Sequence, residues 1–197
     1  MSGPPVITVA EYIWSALGVY WIVSARQSGA TKTPEPHIFR ALRFVILGTT
    51  FGLLFSPWLR IGALGWRFMP ENADVELLGL AMTIAGIGLT VWARVRLGRN
   101  WSDKVVIKTD HELIRTGPYA FFRHPIYSGV LLGVAGTALA IGEWGGVAAF
   151  CLLLVTYSVK AKKEERVLAA AFGAKFEEHV RQTGFLLPRL HIGTRGD

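Results

Sequence analysis

Apolar residues run along this chain in five blocks, at about 6–25, 41–58, 75–93, 125–141 and 147–159, and polar stretches between them carry most of the charge. About 20 apolar residues in a row cross a bilayer as a helix, so the pattern predicts five transmembrane helices. The fourth and fifth blocks are short for a crossing unless the helix continues past its apolar core. The fifth is expected to continue through Lys160, Glu164 and Arg166 towards Phe172, with Gly173 as the stop. The run of Gly142, Glu143, Trp144, Gly145 and Gly146 reads as a tight turn, which makes the fourth and fifth blocks an antiparallel hairpin. Gly129, Gly133 and Thr137 form a stripe of small residues expected to pack against the fifth helix. A short amphipathic helix over 174–182 precedes Gly184 and Pro188. Trp58 and Trp66, around the connection 59–74, are expected at interface depth, and so is Glu11 in the first block.

Composition agrees with a membrane protein: 51% of residues are hydrophobic, 18% are charged, and the mean hydropathy is +0.37. The single cysteine, Cys151, lies inside an apolar run and is expected to be a buried, inert hydrophobe. Met1, Ser2, Gly3, Pro4 and Pro5 lack the basic residues that open a cleaved signal peptide, so this segment is expected to be retained.

The net charge of +7 could suggest nucleic acid, but the placement of the charges argues for a membrane instead. With five crossings, 19 of the 21 Lys and Arg residues fall on one side, and Arg60 and Arg67 alone fall on the other. The positive-inside rule makes the basic side cytoplasmic, with the N-terminus outside and the C-terminus inside. The reading is therefore an all-α polytopic membrane protein. Three helices fill residues 1–93, and a second half that opens with the longest polar stretch fills 94–197. The partners expected are the bilayer and a small or amphiphilic molecule, with no nucleic acid and no metal.

Three elements with chemical potential reach the basic side. The first is the polar stretch 94–123, which holds His111, Glu112, Leu113 and Ile114. The second is the start of the fourth helix, where Gly117, Pro118 and Tyr119 lead into Arg123, His124, Pro125, Ile126 and Tyr127. Proline suits a first helical turn and pushes the preceding residue out of the α region, so His124 marks the boundary. Such a mouth has unpaired N–H groups and a positive dipole end, and can receive the anionic part of a ligand. It reads equally well as an interfacial anchor. The third element is Glu164 and Glu165, which the hairpin brings beside the second. On their own, among Lys162, Lys163 and Arg166, these two read as a solvated helix surface. Adjacent helical residues point about 100° apart, so one carboxylate at most is expected to face a pocket squarely. Lys160 is placed to pair with Glu164 one turn on.

The ordered combination of Gly117-Pro118-Tyr119, Arg123-His124-Pro125-Ile126-Tyr127-Ser128-Gly129, Glu164-Glu165, Phe172-Gly173, Thr183-Gly184 and Pro188 resembles the isoprenylcysteine carboxyl methyltransferase family. The resemblance covers about residues 98–188. It implies an integral membrane methyltransferase that uses S-adenosylmethionine, with a cytoplasmic pocket formed by loop 94–124, the hairpin and the C-terminal helix. By position it implies cofactor contacts at His111, Glu112, Leu113, Ile114, Tyr119, His124, Pro125, Ile126, Tyr127 and Glu164. Arg123 and Lys160 are the implied catalytic residues. Glu164 suits the cofactor's ammonium, the Arg123 mouth its carboxylate, and Tyr119 or Tyr127 its adenine or sulfonium. Methyl transfer to an ionised acceptor needs alignment and desolvation more than a general base.

The chain departs from the family at Lys160, where many members have arginine, and at Phe176, His179 and Phe185. Lysine keeps the charge and loses the bidentate fork. The acceptor is therefore open between a prenylcysteine, a lipid, a small thiol and a short-chain acid. Two other classes share part of the pattern. Sterol-type reductases that use NADPH carry a similar motif, but with asparagine where this chain has Ile126. A haem-binding membrane protein would need axial ligands, and His37, His111, His124, His179 and His191 are scattered.

Overall fold

A computed structural model describes residues 5–25, 37–59, 61–98 and 113–189. The described residues form six α-helices and no strand: α1 (Val6–Ala25), α2 (His37–Phe55), α3 (Ala73–Leu97), α4 (Pro125–Ile141), α5 (Trp144–Phe172) and α6 (Ala174–Gln182). Among them α1, α3 and α5 are long and apolar enough to cross a membrane, and α4 is a shorter apolar helix of 17 residues. The protein is an integral membrane protein.

Helix ends follow local chemistry. Asn72 caps α3, its side chain accepting from the backbone N–H of Asp74 and Val75 at 2.9 and 3.1 Å. Asp74 and Glu76 then sit in the first turn and Arg94 and Arg96 in the last, each complementing the helix dipole. α2 stops at Phe55, before the expected Trp58, because Pro57 disfavours helical backbone at Ser56. The turn between α4 and α5 is tighter than expected. Gly142, at φ +70°, makes it together with Glu143, while Gly145 and Gly146 already belong to α5. α5 runs 29 residues to Phe172, as expected, and Gly173, at φ +49°, ends it. Its last three turns therefore extend beyond the apolar stretch and carry Lys160, Glu164 and Glu165.

Two expectations fail. The stripe Gly129, Gly133 and Thr137 faces α3 and not α5. α3 carries its own small residues, Gly79, Thr83, Gly86 and Thr90, at helical spacing, and the two seams let the backbones touch. A Cβ at Gly136 would stand 2.5 Å from the Gly79 carbonyl oxygen and 2.6 Å from the Thr83 nitrogen. Polar atoms inside this contact satisfy one another: Trp14 Nε1 donates to Thr137 Oγ1 at 2.9 Å, and the Thr83 and Thr137 hydroxyls are 3.1 Å apart. α5 meets α4 elsewhere, where Gly146 packs on Ala138. Cys151 is the second failure. It is exposed on α5, because an apolar residue in a membrane helix is as well placed towards lipid as towards protein.

Two sets of contacts define the ends of the bundle. At one end Arg94 donates to the Ser24 carbonyl at 2.7 Å and to the Gly98 carbonyl at 3.0 Å, joining the last turns of α1 and α3. At the other, the α4–α5 turn is stitched to the segment before α3: Phe68 N donates to Gly142 O, and Trp144 N to Trp66 O. Trp58 and Trp66 are exposed, as interfacial anchors should be.

Candidate functional site

The start of α4 is built by three local devices. Gly117, at φ +62° beside the Arg96 side chain, turns the chain into the 3₁₀ helix Gly117–Ala120. Phe121 and Phe122 both donate to the Pro118 carbonyl and close that turn. Pro125 then opens α4, with His124 outside the helical region before it at φ −125° and ψ 60°. A segment after α6 straps across this entry. Arg123 N donates to Gly184 O at 2.8 Å, Gly184 N to Phe121 O at 3.0 Å, and Arg189 N to Phe121 O at 3.1 Å. Ser128 Oγ donates to the Leu186 carbonyl at 2.7 Å.

The last turns of α5 complete the site. His124, 7% exposed, lies between two carboxylates: Nδ1 is 3.5 Å from Glu164 Oε2, and Nε2 is 3.3 Å from Glu165 Oε1. The pair is thus not a solvated surface, and the expectation that one carboxylate at most faces the site is overturned. The two diverge from the helix axis, but an imidazole has nitrogens on opposite edges and can engage both. Glu165 accepts from Arg123 Nε at 2.5 Å, while Arg123 Nη1 donates to the carbonyls of Thr183 at 2.7 Å and Val180 at 3.4 Å. Glu164 accepts from Tyr127 Oη at 2.5 Å and has Lys160 Nζ 4.0 Å away, the ion pair expected from their spacing.

Aromatic rings surround this polar cluster. The His124 and Tyr127 rings stack at 5.6 Å, and Tyr127 stacks on Tyr157 at 4.6 Å. Lys160 Nζ stands 5.5 Å from the centre of the Tyr127 ring. Phe185, from the strap, meets His124 edge-on at 5.4 Å and underlies the Arg123 guanidinium at 5.5 Å. Burial alone would lower the pKa of His124, but hydrogen bonds to Glu164 and Glu165 and their charges outweigh it, so the imidazole is held above its ordinary value. Burial pushes the Tyr119 hydroxyl up, and the charge of Glu164 adds to this.

Of the residues singled out from sequence, Arg123, His124, Tyr127, Lys160 and Glu164 come together directly. Pro125 is buried in the first turn of α4 and Ile126 is half-buried beside it. Tyr119 is buried within electrostatic reach of Glu164. Leu113 and Ile114 are half-buried next to Arg115, which anchors their segment to α6 through Glu178 at 3.1 Å and Gln182 at 2.7 Å. His111 and Glu112 lie outside the described residues. Sequence reasoning passed over Tyr157, and named Glu165 and Phe185 without assigning either a contact in the site. Tyr157 stands seven residues before Glu164 and three before Lys160, a same-face spacing that could have marked it. Phe185 reaches the site through backbone pairing of distant segments, which leaves no local signal.

His179, buried on α6, has its pKa pushed down to about 4 by burial and then by the charges of Arg115 and Arg123. The folded protein therefore keeps this imidazole neutral where the unfolded chain, titrating near 6.5, takes up a proton. Its contribution is complete above pH 6.5 and is lost as the pH falls towards 4, a change on the order of 3 kcal/mol. Thermal melts in detergent should show this acid loss in the parent and a smaller one in His179→Gln. The raised pKa of His124 acts with the opposite sign and above this window, since its contribution is lost only as the pH rises through the folded value.

The arrangement offers half-buried negative charge and an aromatic wall to a cation, and the positive mouth of a helix to an anion. Among the described residues no group of three metal-binding side chains occurs.

Comparison with known proteins matches residues 78–170, from α3 to near the end of α5, to the isoprenylcysteine carboxyl methyltransferase (ICMT) family. A probable protein-S-isoprenylcysteine O-methyltransferase of Oryza sativa subsp. indica is 33% identical over 123 residues, covering 61% of this chain and 64% of the rice protein. The chain thus spans just under two thirds of that relative's length. The cobalt-zinc-cadmium resistance protein CzcN of Cupriavidus metallidurans is 30% identical over 115 residues, 57% of this chain and 51% of CzcN. The solved structure of the eukaryotic intramembrane Ras methyltransferase ICMT superposes with a TM-score of 0.62 at 21% identity, covering 95% of this chain and 69% of that one. It shares the membrane fold. The matched stretch, just under half of the chain, contains the α4 mouth and the Glu164–Glu165 pair, and over it the chain is similar to the isoprenylcysteine carboxyl methyltransferase family.

Proposed function

We propose that this protein is an S-adenosylmethionine-dependent methyltransferase acting on an anionic, amphiphilic acceptor at the cytoplasmic membrane face. The observation that carries the reading is Glu164, a half-buried carboxylate held by Tyr127 at the mouth of α4, within the stretch that matches the family. The cofactor supplies an electrophilic methyl group on a sulfonium. The donor set fits it. Glu164 binds the ammonium, the α4 mouth beside Arg123 binds the carboxylate, and Tyr119 and Tyr127 flank the adenine or the sulfonium with ring faces. Cofactor contacts are assigned to His111, Glu112, Leu113 and Ile114 as well, with Pro125 and Ile126 setting the first turn of α4.

Arg123 acts first as a positioning residue. It holds Glu165 and the strap carbonyls, which fixes the mouth and leaves its positive charge beside it. Lys160 supplies the cation for the acceptor's negative group. No residue is required to remove a proton from an acceptor already ionised, and the protein's work is alignment and exclusion of water. A groove of about 600 Å³ under the strap, lined by Leu154, Val180, Leu186 and Leu187 and reaching Arg123, supports an acceptor with an apolar tail. Five crossings, with the basic ends of α3, α4 and α5 inside the cell and the N-terminus outside, suit this geometry.

The relatives carry more than one functional name, so the acceptor is the open variable. A screen for transfer of a tritiated methyl group should label a prenylcysteine analogue, a lipid or an amphiphilic thiol. Absence of transfer to every amphiphilic acid, lipid and thiol, with cofactor bound, would contradict the proposed activity.

A further inference from the structure

The last turns of α5 sort their charges by side. At about 100° per residue, Val155, Val159, Lys162, Lys163 and Arg166 lie within about 60° of one direction, and Glu164 and Glu165 point more than about 100° away from it. Exposure follows the same division. Val155, Val159, Lys162, Lys163 and Arg166 are exposed. Glu164 and Glu165 are half-buried and engaged with Tyr127, His124 and Arg123. Cys151, also exposed, lies at the edge of the outer face one turn before Val155. This face of α5 is therefore apolar as far as Val159 and then presents three cations with no carboxylate among them.

Depth places those cations at the polar edge of the bilayer. A helix rises about 1.5 Å per residue, so Lys162 and Lys163 stand roughly 5–6 Å beyond Val159 and Arg166 roughly 10 Å. The headgroup layer on each side of the hydrocarbon is about 5–8 Å thick, and long basic side chains reach back into it. A soluble acidic partner could meet the three cations but not the two valines, which lie at hydrocarbon depth. A lipid meets both, because the molecule whose chains cover Val155 and Val159 carries its phosphate at the level of Lys162 and Lys163.

We propose that this face of α5 binds an anionic phospholipid, with the headgroup held by Lys162, Lys163 and Arg166 and the acyl chains laid on Cys151, Val155 and Val159. The site is distinct from the pocket and does not depend on the cofactor reading. The same turns carry Glu164 and Glu165 on their other side, so the bound lipid holds the site's helix end at the membrane surface. Each basic side chain close to an anionic lipid surface is worth roughly fivefold in affinity.

Cys151, the single cysteine of the sequence, supplies the probe. The protein carrying a bimane on Cys151 is reconstituted in phosphatidylcholine vesicles. Quenching by phosphatidylglycerol with dibrominated chains is then compared with quenching by dibrominated phosphatidylcholine at equal mole fraction. The parent should prefer the anionic lipid by roughly tenfold. In Lys162→Gln/Lys163→Gln this preference should fall by roughly fivefold or more. Lys175→Gln/Arg181→Gln removes two exposed charges from α6 and should keep the preference within about twofold of the parent. Quenching by brominated phosphatidylcholine should be alike in all three proteins, which reports that α5 stays inserted. Equal quenching by the two lipids in the parent overturns the site. An equal fall in the two double variants overturns it too, since that would mean diffuse attraction to a basic surface. Absence of quenching by either lipid also overturns it, because α5 would not present this face to the bilayer.

Discussion

Replacing Glu164 with alanine should weaken binding of S-adenosylhomocysteine by roughly 10- to 100-fold, the range set by losing a charge-assisted hydrogen bond to an ammonium. Arg166→Ala, on the exposed side of the same helix turn, should change it by no more than about twofold. The contrast matters because both residues lie in the same charged run. A solvated, ion-paired surface would make them equivalent, and equal effects would remove Glu164 from the site. Because the alanine variant also strands the Tyr127 hydroxyl and Lys160, Glu164→Gln is the sharper partner. It keeps an acceptor for Tyr127 and removes only the charge. It should lose most of the same affinity while its thermal stability stays near that of the parent. Titration calorimetry and melts on the same preparations separate the two effects.

The second large effect concerns the fold. Gly136→Val should destabilise the protein by about 3 kcal/mol, the upper range for overpacking a tight contact. The added carbons meet the Gly79 carbonyl and the Thr83 nitrogen, which are backbone atoms and cannot rotate away. Gly88, on the exposed face of α3, has nothing within 4 Å of an added Cβ. Gly88→Ala should therefore be neutral or stabilising, by about 0.5–1 kcal/mol through helix propensity. Melts in detergent check both, and a Gly136→Val variant as stable as the parent would mean that the α3–α4 seam is not closely packed. This seam matters to function because α4 carries His124 and Tyr127 to the site, and α3 is its main support.

Much of the fold was legible in the chain because membrane helices announce themselves by length and hydropathy. The bounds of α1, α4 and α6 follow the apolar blocks, Pro125 and Gly173 closely. The meeting of Arg123-His124 with Glu164-Glu165 was legible too, since a hairpin with a short turn must bring those ends together. What was not legible depended on partners. A stripe of glycines says that something comes close but not which helix, and only the matching stripe on α3 decides it. Hydropathy cannot tell a residue facing lipid from one facing protein, hence the wrong side for Cys151. The convergence of both glutamates needed the position of one imidazole between them, which helical periodicity does not contain. The strap depends on pairing between Phe122 and Gly184, segments 62 positions apart with no complementary side-chain pattern. His124 also shows why composition underrates such sites. A single buried histidine in a membrane protein looks unremarkable until two carboxylates and two aromatic rings are found around it.

Isothermal titration of the purified protein with S-adenosylhomocysteine, with NADPH as the competing ligand, tests the central claim most directly. The account predicts saturable one-site binding of S-adenosylhomocysteine and none of NADPH. Tight NADPH binding with no detectable S-adenosylhomocysteine binding would contradict it.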